Sequence, residues 1–196
     1  LEKRGYTDWK SYYKSKRNKL LDYKDDIHAT ISIHSYYNRK DRIWFKINGK
    51  VDGNTSPRDL KTVRILPLVP LLIRTDYEDI LTIGLGTGET ANITANFPNM
   101  KSSEVVELSP AQISFSKTYY TKYNNHIFND KRFKVINRDG REYLEHTKKK
   151  YDLIISEPSN PWQNGVGSLF TTEFFKTMSS KLKPKGIASI WLHLYG

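Results

Sequence analysis

The sequence has no cysteine among its 196 residues. Neither a disulfide framework nor a thiolate metal site can therefore form, and the five histidines show no spacing typical of metal ligands. A long apolar run is also missing, because the longest, residues 65–73, is too short to span a bilayer and is interrupted by Pro67 and Pro70. We expect a soluble chain without a bound metal, long enough to bury its own core.

Positive charge is abundant and unevenly distributed. The formal net charge is +11, and residues 1–24 hold eight basic against three acidic side chains, a net of +5, interleaved with aromatic residues. Such a segment could bind nucleic acid or lie beside an anionic membrane surface. Charge runs are more often solvated helices or linkers, which we favour for the basic N-terminal segment, residues 1–26. The chain starts at Leu1 without a methionine or signal peptide, so we expect a cut N-terminus.

Two stretches of alternating apolar and polar residues predict a β-hairpin. Residues 27–37 supply the first strand and residues 42–48 the second, with N-R-K-D between them as a turn. We assign residues 27–56 to a small β-hairpin domain.

A short helix is predicted to follow the hairpin. Ser56 before Pro57 is typical of an N-cap with proline at the first helical position. The helix should begin near Arg58 and stop at Pro67. Residues 57–75 would then connect the hairpin domain to the rest of the chain.

Strands and helices alternate from Asp76 onward. Short apolar runs predict buried strands at 79–84, 104–108, 133–137, 151–156 and 187–192. Helices are predicted between them at 87–97, 110–123, 141–149 and 171–182. This order indicates an α/β fold over residues 76–196, a Rossmann-like parallel sheet with helices on both faces. In such a sheet, ligands bind beyond the carboxyl ends of the strands.

A glycine-rich turn, G-L-G-T-G-E-T, follows the first of these strands. Gly84, Gly86 and Gly88 let the backbone turn tightly and approach a ligand, with Thr87 between them. By itself the spacing is a weak signal, because a tight strand-to-helix turn needs the same glycines.

Three carboxylates lie at the ends of the next three strands. Glu107 comes about twenty residues after the glycine turn, where an acid can accept hydrogen bonds from ribose hydroxyls. Asp139 is placed to accept from an exocyclic amine such as that of adenine, and Glu157 follows the fourth strand. Each acid alone is typical of a cap or a turn, but three at one edge of a sheet favour a nucleoside site.

Five motifs together resemble the spermidine-synthase-like family of class I S-adenosylmethionine-dependent folds. They read I-G-L-G-T-G, V-V-E-L-S-P, R-D-G-R-E-Y-L, Y-D-L-I-I-S-E-P-S-N-P-W and S-L-F-T-T-E-F-F, and F-K-I-N-G-K-V-D is similar to the family's N-terminal β-domain. The resemblance covers roughly residues 27–195. It implies a nucleoside held by Gly84, Gly86, Glu107, Asp139 and Gly140, and an acceptor amine near Glu157.

The resemblance also implies a setting for the chain. The sequence is especially similar to a bacterial branch that is often fused to a membrane region, which implies a cytoplasmic domain close to a membrane. The partners we expect are a small-molecule amine and a second copy of the chain, with nucleic acid less favoured. The class I fold normally adds a helix and an antiparallel hairpin after its fifth strand, so we expect the C-terminal strands to be missing here.

Several positions depart from the family pattern. Thr87 stands where the family usually has an aspartate that binds the ammonium of decarboxylated S-adenosylmethionine, which moves the expectation toward ordinary S-adenosylmethionine and methyl transfer. Glu157 stands where the family has its catalytic aspartate, and Asn160 where a second aspartate helps to bind the diamine. Thr62 and Asp52 match the tyrosine and glutamine of the amine site only loosely.

Glu157 nevertheless suits an amine alkylation. Its carboxylate can hold an ammonium, accept its proton and oppose the positive charge that persists through the transition state. Pro158 and Pro161 would stiffen the loop, and Trp162 would supply an apolar or cation-binding wall. The alternative is that Glu157 is a turn acid and Trp162 a core residue.

Three functions remain open from the sequence. An aminopropyl transferase is favoured by the hairpin domain and the E-P-S-N-P-W loop, and its donor would be decarboxylated S-adenosylmethionine. A methyltransferase is favoured by Thr87 and would use S-adenosylmethionine itself. The third is a nucleoside-binding module without catalysis.

Overall fold

Strands form two separate sheets in the computed structural model, which describes residues 18–36, 39–161 and 165–192. The chain divides into two units, with the boundary between Asp59 and Leu60. The assignment of four segments along the chain, at 1–26, 27–56, 57–75 and 76–196, stays a prediction.

The first unit is an antiparallel sheet of four strands in sequence order. The strands are β1 (Asn18–Asp25), β2 (Thr30–Tyr36), β3 (Arg39–Ile47) and β4 (Lys50–Asn54). The alternation in β2 buries Ile31 and Ile33 on one face of the sheet, and Phe45 of β3 is buried on the same face. Trp44 is buried on the opposite face, where its ring stacks with that of His34. Ile33 pairs with Phe45 across the strands. The predicted hairpin of β2 and β3 is confirmed.

Two strands of this sheet were not predicted. The prediction of a solvated helix or linker is wrong for β1, whose charged sequence N-K-L-L-D-Y-K-D forms an edge of the sheet, while residues 1–17 lie outside the described part. The turn expected at N-R-K-D is wrong for residues 39–41, which already belong to β3. The missed turn is Asn48–Gly49, which joins β3 to β4 with φ angles of 50° and 83°. Positive φ at both residues is typical of an N-G hairpin turn.

Helix α1 (Pro57–Ile73) does not stop at Pro67 as predicted. Ser56 caps it as expected, since its hydroxyl accepts from the Asp59 amide at 3.3 Å. Prolines remove the backbone donors that would serve the carbonyls four residues earlier, at Val63 and Leu66. Side-chain hydroxyls from elsewhere in the fold approach both carbonyls: Thr90 Oγ1 lies 3.4 Å from Val63 O, and Ser189 Oγ donates to Leu66 O at 2.8 Å. The helix therefore continues through both prolines.

The second unit is a parallel sheet of five strands in the order β7-β6-β5-β8-β9. Its strands are β5 (Asp79–Ile83), β6 (Ser102–Glu107), β7 (Phe133–Asn137), β8 (Tyr151–Ser156) and β9 (Leu182–Ile190). The helices after α1 are α2 (Glu89–Ala95), α3 (Pro110–Tyr119), α4 (Thr121–Asn124), α5 (Gly140–His146) and α6 (Thr172–Ser180). Short 3₁₀ turns lie at Ile127–Asn129 and Val166–Phe170. The predicted α/β fold is confirmed.

Apolar side chains are buried on both faces of this sheet. Ile80 in β5 and Leu153 in β8 pack with Phe97 and the residues around α2 on one face. Their sequence neighbours Leu81 and Ile154 point to the other face and pack with α5 and α6. Burial on both faces explains why these strands are continuous apolar runs rather than alternating ones.

Several predicted boundaries are wrong in this unit. The helix expected at 110–123 is interrupted at Tyr120, which separates α3 from α4. The strand expected at 187–192 begins earlier, because β9 starts at Leu182 and contains K-P-K-G as an irregularity: Tyr151 pairs with Leu182, whereas Leu153 already pairs with Ile187. In the described ranges, no helix is both long and apolar enough to cross a membrane.

Candidate active site

The candidate site lies at the carboxyl ends of β5, β6 and β8. The chain runs from β5 outward through β6 to β7 and then returns to place β8 on the other side of β5. A crevice opens where the strand order reverses in this way, and ligands of open α/β sheets bind there. Register places Ile83 opposite both Val106 and Ser156. Gly84 and Glu157, which follow β5 and β8, therefore lie level with Glu107, the last residue of β6.

The glycine turn after β5 adopts a conformation that suits glycine. Gly84, Gly86 and Gly88 have φ angles of 94°, 50° and 83°. A Cβ on Gly84 would lie 2.6 Å from the backbone oxygen of Glu157, so a side chain here would separate the turn from the loop after β8. Gly84 therefore allows the two loops of the candidate site to lie in close contact.

Side chains from α3 and α4 donate hydrogen bonds to backbone carbonyls of the glycine turn. The sequence analysis did not single out these side chains. Gln112 Nε2 donates to Gly86 O at 2.7 Å, and Ser116 Oγ donates to Thr87 O at 3.1 Å. Asn124 Nδ2 reaches Thr87 O at 3.4 Å. Gln112 and Ser116 are four residues apart and so share one helix face, a spacing that could have indicated a common role.

Glu107 is fixed by the backbone around it. Its Oε2 accepts from the Leu85 amide in the glycine turn, and its Oε1 accepts from the Ser109 amide, both at 2.9 Å. The carboxylate thus ties the end of β6 to the turn after β5. The predicted pairing of a glycine turn with an acid on the next strand is present as a direct contact.

Asp139 and Gly140 both have structural roles. Asp139 caps α5, because its Oδ1 accepts from the Glu142 amide at 2.9 Å. Gly140 lets α5 approach β5, since a Cβ there would lie 2.5 Å from Ile83 Cγ2. The assignment of both residues to the nucleoside stays a prediction.

Glu157 lies directly beside the glycine turn. Its amide donates to Ile83 O at 2.9 Å, which continues the pairing of β8 with β5 by one residue. Its partly buried side chain is held by Thr90 in α2, whose hydroxyl donates to Glu157 Oε2 at 2.7 Å. The predicted acid at the tip of β8 is therefore an oriented side chain. The sequence analysis did not single out Thr90, which is 67 residues away along the chain.

The residues predicted to bind the acceptor lie in different parts of the chain. Asn160 is buried three residues beyond Glu157. Trp162 lies outside the described residues, and Asp52 belongs to β4 in the first unit. Their roles at the acceptor stay predictions. No group of three or more histidine, aspartate or glutamate side chains in the described part of the chain could hold a metal ion.

A buried carboxylate on β6, Glu104, has a structural role. Glu104 accepts from Lys149 Nζ at 2.5 Å, Tyr151 OH at 2.7 Å and Tyr143 OH at 2.9 Å. Burial alone would raise its pKa, but the hydrogen bonds from Lys149 and the two tyrosines outweigh that effect and lower the pKa below the ordinary 4.5. Its full set of partners ties α5 and β8 to β6.

The family follows from a comparison with known proteins. A family model described as the spermine/spermidine synthase domain matches residues 63–193, which include the glycine turn, Glu107 and Glu157. The chain belongs to the spermine/spermidine synthase family. The predicted resemblance is confirmed, while the membrane-fused branch, a cytoplasmic location and a homodimer stay predictions.

Curated polyamine aminopropyltransferases match part of the chain. A polyamine aminopropyltransferase of Escherichia fergusonii is 34% identical over 119 residues, 61% of this chain and 41% of that protein. One from Sodalis glossinidius is 31% identical over a stretch of the same length. The chain thus spans less than half the length of these relatives.

Solved structures of spermidine synthases share the fold. The enzyme from Thermotoga maritima has a TM-score of 0.75 at 21% identity, over 88% of this chain and 56% of that one. A spermidine synthase in complex with the transition-state analogue AdoDATO has a TM-score of 0.74 at 21% identity, over 84% of this chain and 55% of that one.

Proposed function

We propose that this chain carries the nucleoside-binding and catalytic region of a transferase that moves an aminopropyl group from decarboxylated S-adenosylmethionine to an amine. The observation that carries the proposal is the position of Glu157, held by Thr90 and in backbone contact with the strand that ends in the glycine turn. Family membership and the names of the curated relatives support the same reaction. A spermidine synthase of this fold binds the transition-state analogue AdoDATO, which supports a sulfonium nucleoside as donor.

The carboxylates at the strand ends can accept the hydrogen bonds that such a nucleoside donates. A carboxylate can accept about four hydrogen bonds, so Glu107 can hold the Leu85 and Ser109 amides and also accept from ribose hydroxyls. Asp139 uses Oδ1 for its cap, which leaves Oδ2 to accept from an adenine amine. The glycine turn lies between these acids and Glu157.

Glu157 supplies the acid–base function. When bound, the donor supplies a propyl carbon that is activated by the positive charge on its sulfur. The amine nitrogen attacks this carbon, the carbon–sulfur bond breaks, and its electron pair stays on the sulfur of the methylthioadenosine product. Glu157 accepts the proton that the nitrogen gives up, and its charge opposes the positive charge of the attacking nitrogen. Thr90 holds the Glu157 carboxylate in position while that carboxylate gains and loses the proton.

The acceptor is an amine whose identity the proposal leaves to experiment. We propose Asn160, which is buried close to Glu157 in sequence, as an acceptor-side residue. Trp162 and Asp52 are further candidates on the family resemblance. Asn160 stands in place of an acidic family residue and lowers the negative charge on the acceptor side, which favours an acceptor other than a small diamine.

Single-turnover transfer tests the proposed reaction. The purified chain is mixed with decarboxylated or ordinary S-adenosylmethionine and a panel of diamines and triamines, and products are identified by mass spectrometry. We expect methylthioadenosine and an aminopropylated amine from the decarboxylated donor, and neither product without an amine. Methylated acceptor from the ordinary donor would instead show a methyltransferase. Binding of both nucleosides without any transfer would show a nucleoside-binding module.

A further inference from the structure

A second glutamate, Glu89, is buried directly after the glycine turn and has no role in the reaction described so far. Only 3% of its surface is exposed. Its Oε1 pairs with Arg64 Nε in α1 at 2.6 Å, whereas its Oε2 is buried without a hydrogen-bond partner among the described residues. An unsatisfied buried carboxylate oxygen is costly, so its presence requires an explanation.

The position of Glu89 relates it to the acid at the tip of β8. Glu89 pairs with Arg64, while the next residue, Thr90, holds Glu157 and approaches the carbonyl of Val63. Consecutive residues of α1 thus contact consecutive residues of α2. Glu89 and Thr90, which holds the Glu157 carboxylate, therefore contact the same stretch of α1 directly after the glycine turn.

The chemistry of the missing partner follows from the atom that lacks it. A carboxylate oxygen accepts hydrogen bonds, and a cationic donor forms the strongest ones. The proposed donor substrate carries a primary ammonium at the end of its three-carbon chain. Thr87 lies inside the glycine turn, with its hydroxyl 3.4 Å from the Glu89 amide. Because its side chain is uncharged, Thr87 supplies no negative charge for the ammonium.

We propose that Glu89 Oε2 binds the terminal ammonium of the donor and that Arg64 positions the Glu89 carboxylate for this contact. The inference rests on the proposed function, because it assumes a sulfonium nucleoside with an aminopropyl chain. It assigns the two glutamates separate tasks: Glu89 holds the end of the group that is transferred, and Glu157 serves the amine that receives it.

Two nucleosides that differ in the ammonium test this assignment by isothermal titration. Decarboxylated S-adenosylmethionine carries the aminopropyl chain, whereas methylthioadenosine lacks it. Glu89→Gln should weaken binding of the first about 10- to 100-fold, the range for a hydrogen bond to a charged group. Binding of methylthioadenosine should change less than about twofold. Glu173→Gln, at an exposed glutamate in α6, is the matched control and should change neither affinity.

A double variant controls for the possibility that a lone buried charge disrupts the fold. Arg64→Gln combined with Glu89→Gln removes both charges, so no lone ion is left at the buried position, and we expect the same selective loss. Equal weakening of both nucleosides in the variants, or unchanged affinity for the decarboxylated donor, would overturn the role of Glu89. If the unmutated chain bound neither nucleoside, the proposed function itself would fail, and this inference with it.

Discussion

Thr90 donates a hydrogen bond of 2.7 Å to Glu157, and this contact joins the first helix after the glycine turn to the loop after β8. The same hydroxyl lies 3.4 Å from Val63 O, a carbonyl that has lost its usual helical donor to Pro67. One small side chain thus links the proposed catalytic acid to the helix before β5. Orientation of the acid should therefore depend on Thr90.

Thr90→Val tests this dependence, because it removes the hydroxyl and keeps the shape of the side chain. We expect transfer to slow about tenfold or more, because a hydrogen bond to a charged carboxylate contributes about 1.5–3 kcal/mol, while methylthioadenosine binds as before. Single-turnover rates and titration calorimetry give the two quantities.

Two further variants complete this test. Thr90→Ser should restore most of the rate, since the hydroxyl returns. Thr118→Val, at an exposed threonine of α3 whose hydroxyl donates to Ser114 O in the same helix, should have no effect. A full rate in Thr90→Val would show that Glu157 does not need this contact.

Glu107→Gln should weaken nucleoside binding. The change replaces a carboxylate that holds two backbone amides, and we expect a loss of about 1.5–3 kcal/mol in the binding free energy of methylthioadenosine. Calorimetric titration measures it, with far-ultraviolet circular dichroism to verify the fold. Unchanged affinity would remove Glu107 from the ribose site.

The strands and the edge at which the acids lie could be predicted from sequence. The bounds of β7 and β8 match the prediction, because a buried parallel strand must be a continuous apolar run and the residues that end it are polar. The same regularity places Glu107, Asp139 and Glu157 after successive strands, and hence at one edge.

Features that depend on distant partners could not be predicted. Helix α1 continues past Pro67 and Pro70 because hydroxyls from other elements approach the carbonyls that lack a helical donor. The residues near the prolines in the sequence do not indicate these distant hydroxyls. Glu89 looks like an exposed acid in the first turn of a helix, yet Arg64, 25 residues earlier, makes its burial tolerable. By contrast, the N-G pair at Asn48 and Gly49 was a local signal for β4.

The Glu104 cluster predicts a specific pH dependence of stability. Because its pKa is lower in the folded chain, ionised Glu104 contributes stability fully above pH 4.5, and this contribution is lost as pH falls through the lower folded pKa. At pH 7, Glu104→Gln should reduce the free energy of unfolding by about 1.5–3 kcal/mol. Near pH 3, the difference in free energy of unfolding between the variant and the unmutated protein should be smaller.

Urea unfolding at both pH values, followed by circular dichroism, measures this difference. Glu173→Gln again serves as the matched control and should follow the unmutated protein at each pH. A gap of the same size at pH 7 and pH 3 would mean that the charge of Glu104 does not contribute to folding stability.

Separation of binding from turnover in Glu157→Gln tests the proposed function most directly. The amide keeps the size of the side chain and can still accept from Thr90, but it cannot take a proton from an amine. We expect titration calorimetry to give methylthioadenosine the same affinity in both proteins, and single-turnover aminopropyl transfer to be about a hundredfold slower or worse in the variant, the usual contribution of general acid–base catalysis. Equal transfer rates in the two proteins would contradict the assignment of Glu157 as the group that prepares the amine for attack.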